Sequence, residues 1–344
     1  MNKQEEQIAF FCDRPVQIFN ALNFVFHDAL GTKGKADIYI FSQFSSAGKL
    51  AEKIRATGVF QNVFLDQEDT DKHYTIIFTP AWGCKLWETL AKRDSKNCEI
   101  YFYDDGFLSY IKSNITALHA DSWEAKIRKF FHHGKFGLHI DGIYLNNPSM
   151  CRYDRSNVFK LPPISNKDSN FTAIAETIFG VPDKITPYLF IEQNLNMKIP
   201  VDVDELRSEI LEIICKNIPK LDFSVRLHPV QKYYQPLKNQ EVAISSNDAL
   251  WEMICAYDCL TDKNVLLGFS STALVIPKLC FDKEPTVICL YRLLKWENKK
   301  LLQDTEDFFQ QMAASYRDRS KFHIVNDLKE LEQILQQLRL KKNK

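Results

Sequence analysis

Two adjacent carboxylates, Asp104 and Asp105, followed by Gly106, stand where the run Cys98-Glu99-Ile100-Tyr101-Phe102-Tyr103 ends. The aromatic and β-branched residues of that run read as a buried strand. The two acids therefore sit at a strand's carboxyl end, where open α/β sheets place their ligands. Gly106 allows a tight turn, with positive φ at no steric cost. Neighbouring strand residues point to opposite faces, so one carboxylate can act as a general base while the other braces the turn. Read alone, Asp-Asp-Gly is equally a solvated turn.

Three further groups could complement a base. The strand read over 223–227 ends in His228-Pro229. Pro229 biases His228 to an extended backbone, and an imidazolium there can donate to a departing phosphate; a lone histidine is more often a surface or satisfied core group. The strand read over 265–269 runs into Ser270 and Ser271 ahead of a helix. Hydroxyls and free N–H groups at a helix start can receive a phosphate, and they equally make an ordinary N-cap. Glu252, in an apolar helix start, could accept hydrogen bonds from two ribose hydroxyls or simply complement the helix dipole. No Gly-x-Gly-x-x-Gly and no Walker-type lysine accompany these groups, which disfavours the common dinucleotide and nucleotide-hydrolysis sites.

The elements that must position these residues alternate along the chain. Strands are expected near 8–12, 36–41, 60–65, 74–78 and 98–103, with helices over 16–30, 46–58 and 82–92. Residues 107–185 look less regular, with an amphipathic stretch at 122–132 and a helix at 170–179. A second series begins near 189–194, with helices at 203–218, 249–256 and 328–340 and strands at 223–227, 265–269 and 286–290. Alternation of this kind predicts parallel sheets covered by helices. The expected architecture is two similar α/β halves, 1–184 and 185–344, with a ligand cleft between them.

Bulk properties narrow the function classes. A chain of 344 residues with 45% hydrophobic and 26% charged residues has ordinary globular composition and room for two domains. A formal net charge of zero disfavours a nucleic-acid partner held by bulk electrostatics. The nine cysteines are scattered, mostly inside apolar runs, and read as free thiols of a reducing compartment rather than a metal site. The polar start lacks a signal-peptide core, and no run reaches the ~18–20 apolar residues of a membrane span. A cytoplasmic protein is expected.

Taken together and in order, Asp104-Asp105-Gly106, His228-Pro229 and Ser270-Ser271 resemble the short motifs of bacterial sialyltransferases. The opening Phe11-Cys12-Asp13-Arg14-Pro15-Val16-Gln17-Ile18-Phe19-Asn20-Ala21 resembles the start of the lipooligosaccharide sialyltransferase family, glycosyltransferase family 52. The resemblance implies a GT-B fold and inverting transfer from a CMP-activated sugar, with neither metal nor other cofactor. It implies Asp105 as the base that deprotonates the acceptor hydroxyl, supported by Asp104 and Gly106. His228 would assist the loss of CMP, Pro229 would pack near the cytosine, Glu252 would hold the ribose, and Ser270 and Ser271 would bind the phosphate.

The leading expectation is a sialyltransferase that uses CMP-sialic acid and a glycan or glycolipid acceptor of lipooligosaccharide or capsule, with terminal galactose a plausible acceptor. Transfer from another CMP-sugar such as CMP-Kdo, or elongation of polysialic acid, fits the same motifs. A non-catalytic glycan- or nucleotide-binding protein is the rival from another class; it would have no need of a base. The 122–132 stretch and the basic end Lys341-Lys342-Asn343-Lys344 are compatible with loose docking on the inner membrane face, and equally with a packed helix and a solvated tail. The family also includes homodimers.

Overall fold

A computed structural model of the chain describes residues 7–342 apart from 33, 45, 68–70, 81–85, 94–97, 112–139, 153–156, 165, 194, 196–202, 229–241 and 246–248. The chain divides into two compact units, Met1–Val181 and Pro182–Lys344. Each is built on its own parallel sheet.

In the first unit, β1 (Ile8–Cys12), β2 (Ala36–Ile40), β3 (Asn62–Leu65), β4 (Ile76–Thr79), β5 (Glu99–Tyr103), β6 (Gly142–Leu145) and β7 (Val158–Lys160) lie in the order β3-β2-β1-β4-β5-β6-β7, every pair parallel. All residues of β1, β2 and β4 are buried, and burial on both faces explains why these strands read as mostly apolar runs. The order reverses between β1 and β4, so the switch point of this sheet lies at their carboxyl ends. Helices α1 (Pro15–Phe26), α2 (Ala47–Thr57), α3 (Leu86–Arg93) and α4 (Ser169–Phe179) accompany the strands. Proline at the first position starts α1, and Gly58, at φ 64°, ends α2. Phe10 of β1 stacks on Phe78 of β4 at 4.8 Å, and Phe24 of α1 packs on both rings. Phe19 of α1 meets Phe171 and Phe179 of α4 edge-on, each at 5.8 Å.

In the second unit, β8 (Tyr188–Ile191), β9 (Phe223–Arg226), β10 (Ala243–Ile244), β11 (Val265–Gly268), β12 (Thr286–Cys289) and β13 (Phe322–Ile324) run parallel in the order β10-β9-β8-β11-β12-β13. The switch point here falls between β8 and β11. Helices α5 (Val203–Asn217), α6 (Trp251–Ala256), α7 (Ile276–Phe281), α8 (Lys299–Ser315) and α9 (Leu328–Lys342) complete it. Ile210, Leu211 and Ile214 of α5 share one core with Leu331, Ile334 and Leu335 of α9 and with Phe190, Val225 and Leu267 of the central strands.

The structure departs from the sequence reading at both short and long elements. The region expected to be irregular contributes β6 and β7, of four and three residues. The last two residues of β7 are exposed, as suits an edge strand, so its apolar signal is weak. The 17-residue α8 was not expected, and neither was the three-residue β13. The helix expected from 249 begins at Trp251, because Leu250 is extended at φ −61°, ψ 140°. After Ser271 the chain first makes a 3-10 turn, Thr272–Leu274, before α7. The amphipathic stretch 122–132 lies outside the described residues. Among the described residues no helix is long and apolar enough to cross a membrane, and the eight described cysteines are all free thiols.

One glycine is required by the close approach of strands at the second switch point. A Cβ on Gly268 would stand 2.8 Å from the carbonyl oxygen of Ile191 on the paired strand β8. Backbone cannot yield there without disturbing the ladder. Gly268→Ala is expected to cost about 1–3 kcal/mol, read as a lower midpoint in chemical denaturation.

Candidate active site

The chain leaves β5 through Asp104 and Asp105, and their side chains part company. Asp104 is buried and accepts four hydrogen bonds. Its Oδ1 takes the Gly106 N–H at 2.9 Å, and its Oδ2 takes the Asn146 N–H at 3.0 Å, the Asn146 side-chain amide at 2.9 Å and the Tyr110 hydroxyl. Its carbonyl oxygen accepts from Asn20 of α1 at 3.0 Å. Burial pushes the Asp104 carboxyl up from its ordinary value, and the bonds from Tyr110, Asn146 and Gly106 oppose that rise. Gly106 makes the turn at φ 91°, ψ −158°, a conformation open essentially to glycine alone.

Asp105 turns toward the segment that follows β1. Its backbone N–H is held by the Ser109 hydroxyl at 2.9 Å. Its Oδ1 accepts from Gln17 Nε2 at 2.9 Å, and its Oδ2 lies 3.8 Å from an Arg14 guanidinium nitrogen. The Asp105 side chain is only 12% exposed. Burial pushes its carboxyl up to about 6, against the pull of Arg14 and Gln17 and with help from Asp13 and Asp104. A carboxyl poised near neutrality with one oxygen outside any hydrogen bond has the properties of a general base. Asp13 lies buried beside it; its own carboxyl is also pushed up by burial, and its Oδ1 has no hydrogen-bond partner.

The second unit gathers polar groups at the carboxyl ends of three adjacent strands, β9, β8 and β11. His228 is half-buried two residues beyond β9. Pro229 lies outside the described residues. Gln193 follows β8, and its Oε1 accepts from both the N–H of Ser270, at 3.0 Å, and the Ser270 hydroxyl, at 3.2 Å. A peptide N–H can only donate, so this contact also fixes which way the Gln193 amide points. Behind it, Arg207 of α5 donates to the Gln193 carbonyl at 2.9 Å and pairs with buried Glu192 at 3.3 Å. Ser271 caps the 3-10 turn by accepting from Ala273 N–H at 3.3 Å, which leaves its own proton to be donated.

Glu252 occupies the first turn of the short helix α6 and is 8% exposed. Its neighbour Trp251 donates from Nε1 to the Ala273 carbonyl at 2.8 Å, which ties α6 to the turn after the serine pair. Arg226, at the end of β9, donates to the Ala249 carbonyl at 2.7 Å and stacks 5.5 Å over the Trp251 ring. His228, Ser270, Ser271 and Glu252 are thus attached to one edge of one sheet, whereas Asp104, Asp105 and Gly106 belong to the corresponding edge of the other. Among the described residues no group of three or more His, Cys, Asp or Glu side chains is arranged to hold a metal ion.

Sequence reasoning passed over Asp13, Arg14 and Gln17 as chemistry, and read Gln193 only as part of a strand. The polar pair Glu192-Gln193 ending an apolar strand was a signal of the same kind as Asp104-Asp105.

No family model matches the chain, and no curated protein matches it in sequence. Solved structures do resemble it. A sialyltransferase from Photobacterium damsela superposes with a TM-score of 0.52 at 10% identity, over 93% of this chain and 81% of that one. Phytolacca americana UGT2, solved with UDP-2fluoro-glucose and pterostilbene, superposes with a TM-score of 0.50 at 11% identity, over 100% of this chain and 94% of that one. At such identities the likeness concerns the fold, and it is the GT-B type: two parallel-sheet, Rossmann-like α/β domains.

The two aspartates are expected to respond in opposite directions to amidation. Asp104→Asn sets an NH2 group against groups that themselves donate and should cost on the order of 3 kcal/mol. Asp105 titrates higher in the fold than in the unfolded chain, so its neutral form is the one the fold favours. That contribution is complete below about pH 4 and lost as pH rises through about 6. Asp105→Asn should therefore stabilise the protein at pH 8, by about 1–3 kcal/mol, with the gain shrinking to nothing near pH 4. Denaturant titrations at the two pH values check both signs.

Proposed function

We propose that the protein is an inverting, metal-independent glycosyltransferase that moves sialic acid from CMP-sialic acid to an acceptor hydroxyl. A terminal galactose of a bacterial lipooligosaccharide or capsular glycan is the proposed acceptor. The observation that carries the reading is Asp105: a nearly buried carboxyl, raised to about 6, at a strand's carboxyl end, with Oδ2 outside any hydrogen bond. The GT-B fold supports sugar transfer as the class. The motif order supports CMP as the nucleotide.

In this reading Asp105 Oδ2 takes the acceptor's hydroxyl proton as the acceptor oxygen attacks the anomeric carbon of sialic acid. The bond from that carbon to the CMP phosphate oxygen breaks, and the electron pair leaves with CMP. His228 donates to the phosphate as its charge develops, and Ser271 donates its free hydroxyl proton to the same group. Ser270 acts one step removed by holding Gln193. Glu252 accepts from the ribose hydroxyls. Pre-set donors at a developing charge, together with a held base, are the main sources of rate in such a site. The same reading puts the protein in the cytoplasm, meeting a glycolipid acceptor at the inner membrane face.

The test is incubation with CMP-sialic acid and a lactose-type acceptor in the presence of EDTA, measuring CMP release and sialylated product. Turnover is expected, with an acid limb near pH 6 below which rate falls about tenfold per pH unit as the base is protonated. Asp105→Ala should lower turnover by on the order of 10²-fold or more with CMP affinity nearly unchanged, and His228→Ala by a similar factor. Failure to turn over any of a panel of CMP-sugars and acceptors, with no CMP binding, would sink the reading. Turnover with CMP-Kdo alone would reassign the donor.

A further inference from the structure

Among the groups around Asp105, Gln17 has no freedom of orientation. It is fully buried in the first turn of α1. Its Oε1 accepts the N–H of Asp13 at 2.6 Å and the N–H of Arg14 at 3.1 Å. Both partners are obligate donors, so oxygen is the end of the amide that faces them and the NH2 is the end that meets Asp105. That NH2 engages Oδ1. Oδ2 faces the Arg14 guanidinium at 3.8 Å, within ion-pair range but too far for a hydrogen bond. One carboxylate oxygen is thus committed and the other is not.

We propose that Gln17 is the positioning residue of the base, locking the Asp105 carboxylate so that Oδ2 is the atom that takes the acceptor's proton, with Arg14 as the charge that favours its ionised form. The inference rests on Asp105 being the base of the transfer proposed above. Among the described residues, the ionisable groups that face Asp105 are Asp104 beside it, Asp13 and Arg14 from the turn after β1, Tyr103 from β5 and Cys12 from β1. Asp13 and Asp104 work against ionisation, and Arg14 and Gln17 work for it. Burial keeps Tyr103 and Cys12 neutral at ordinary pH. Arg14 also lies 3.8 Å from the unpartnered Oδ1 of Asp13, so one cation serves two buried carboxylates.

Gln17→Glu is the discriminating variant. It retains an acceptor for the Asp13 and Arg14 N–H groups and replaces the donor to Asp105 with a carboxylate. Expected are a kcat lower by about tenfold or more, a KM for the CMP-sugar close to wild type, and an acid limb moved to higher pH. The Asp105 carboxyl, followed by 13C NMR titration, should move the same way. Arg14→Gln should raise the acid limb with a smaller loss of kcat. Unchanged kcat and acid limb in Gln17→Glu would overturn the inference. So would a lower kcat with the limb and the carboxyl titration in place and a reduced melting temperature, which would mark Gln17 as a helix cap only. Intact turnover in Asp105→Asn would instead overturn the base assignment itself.

Discussion

The edge of the first sheet depends on one buried carboxylate that accepts four hydrogen bonds. Asp104 collects the N–H of Gly106, the hydroxyl of Tyr110 and two donors of Asn146. Those donors come from the turn itself, from the 3-10 turn that follows and from the residue just past β6. A carboxylate shielded from water is tolerable only with such partners. The turn is therefore held from three directions, and its exit through Gly106 admits only glycine geometry. Asp105 has a defined position because Asp104 gives its neighbour no room to rearrange.

The second unit applies the same economy differently. Its polar strand ends are held by one another rather than by a single acceptor. Gln193 receives both donors of Ser270, while Arg207 and Glu192 brace the backbone behind it. Gly268 lets β11 come close enough to β8 for that contact to form. The outcome is an edge where the Gln193 amide and the Ser271 hydroxyl keep protons to donate. The first edge, by contrast, offers a carboxylate oxygen that can accept one. Each unit thus presents a different polar chemistry at the carboxyl ends of its own strands.

Legibility followed burial and the contrast between apolar and polar positions. Strands β1, β2 and β4 are buried on both faces, so apolar residues dominate them, with Asp37 and Thr79 the buried polar exceptions, and the runs stand out. The three-residue β7 and β13 bury too few residues to stand out from loop, and they exist because a longer neighbour offers them a ladder. Helix α8 was missed although its apolar positions Phe308, Phe309 and Met312 are buried, because Lys299, Lys300, Asp304 and Asp307 dilute them. Of the candidate residues, Asp104, Asp105, His228, Ser270 and Ser271 were found because each closely follows an apolar strand. Gln17 was quoted only as part of a resemblance, since nothing in its local sequence says that a helix's third residue reaches a strand end 88 positions away.

By itself the sequence determined that polar residues would stand at the carboxyl ends of apolar strands, because alternation of strand and helix dictates parallel sheets and parallel sheets put all such ends on one edge. It also determined that a glycine would follow the acid pair. Which acid would be consumed in holding the turn and which would keep a free oxygen was decided by tertiary structure alone. Adjacent carboxylates are chemically identical until the chain brings Tyr110 and Asn146 to Asp104, and Gln17 and Arg14 to Asp105. Desolvation and hydrogen-bond partners, both products of contacts distant in sequence, are what turn two equal side chains into a turn support and a carboxylate with one oxygen uncommitted.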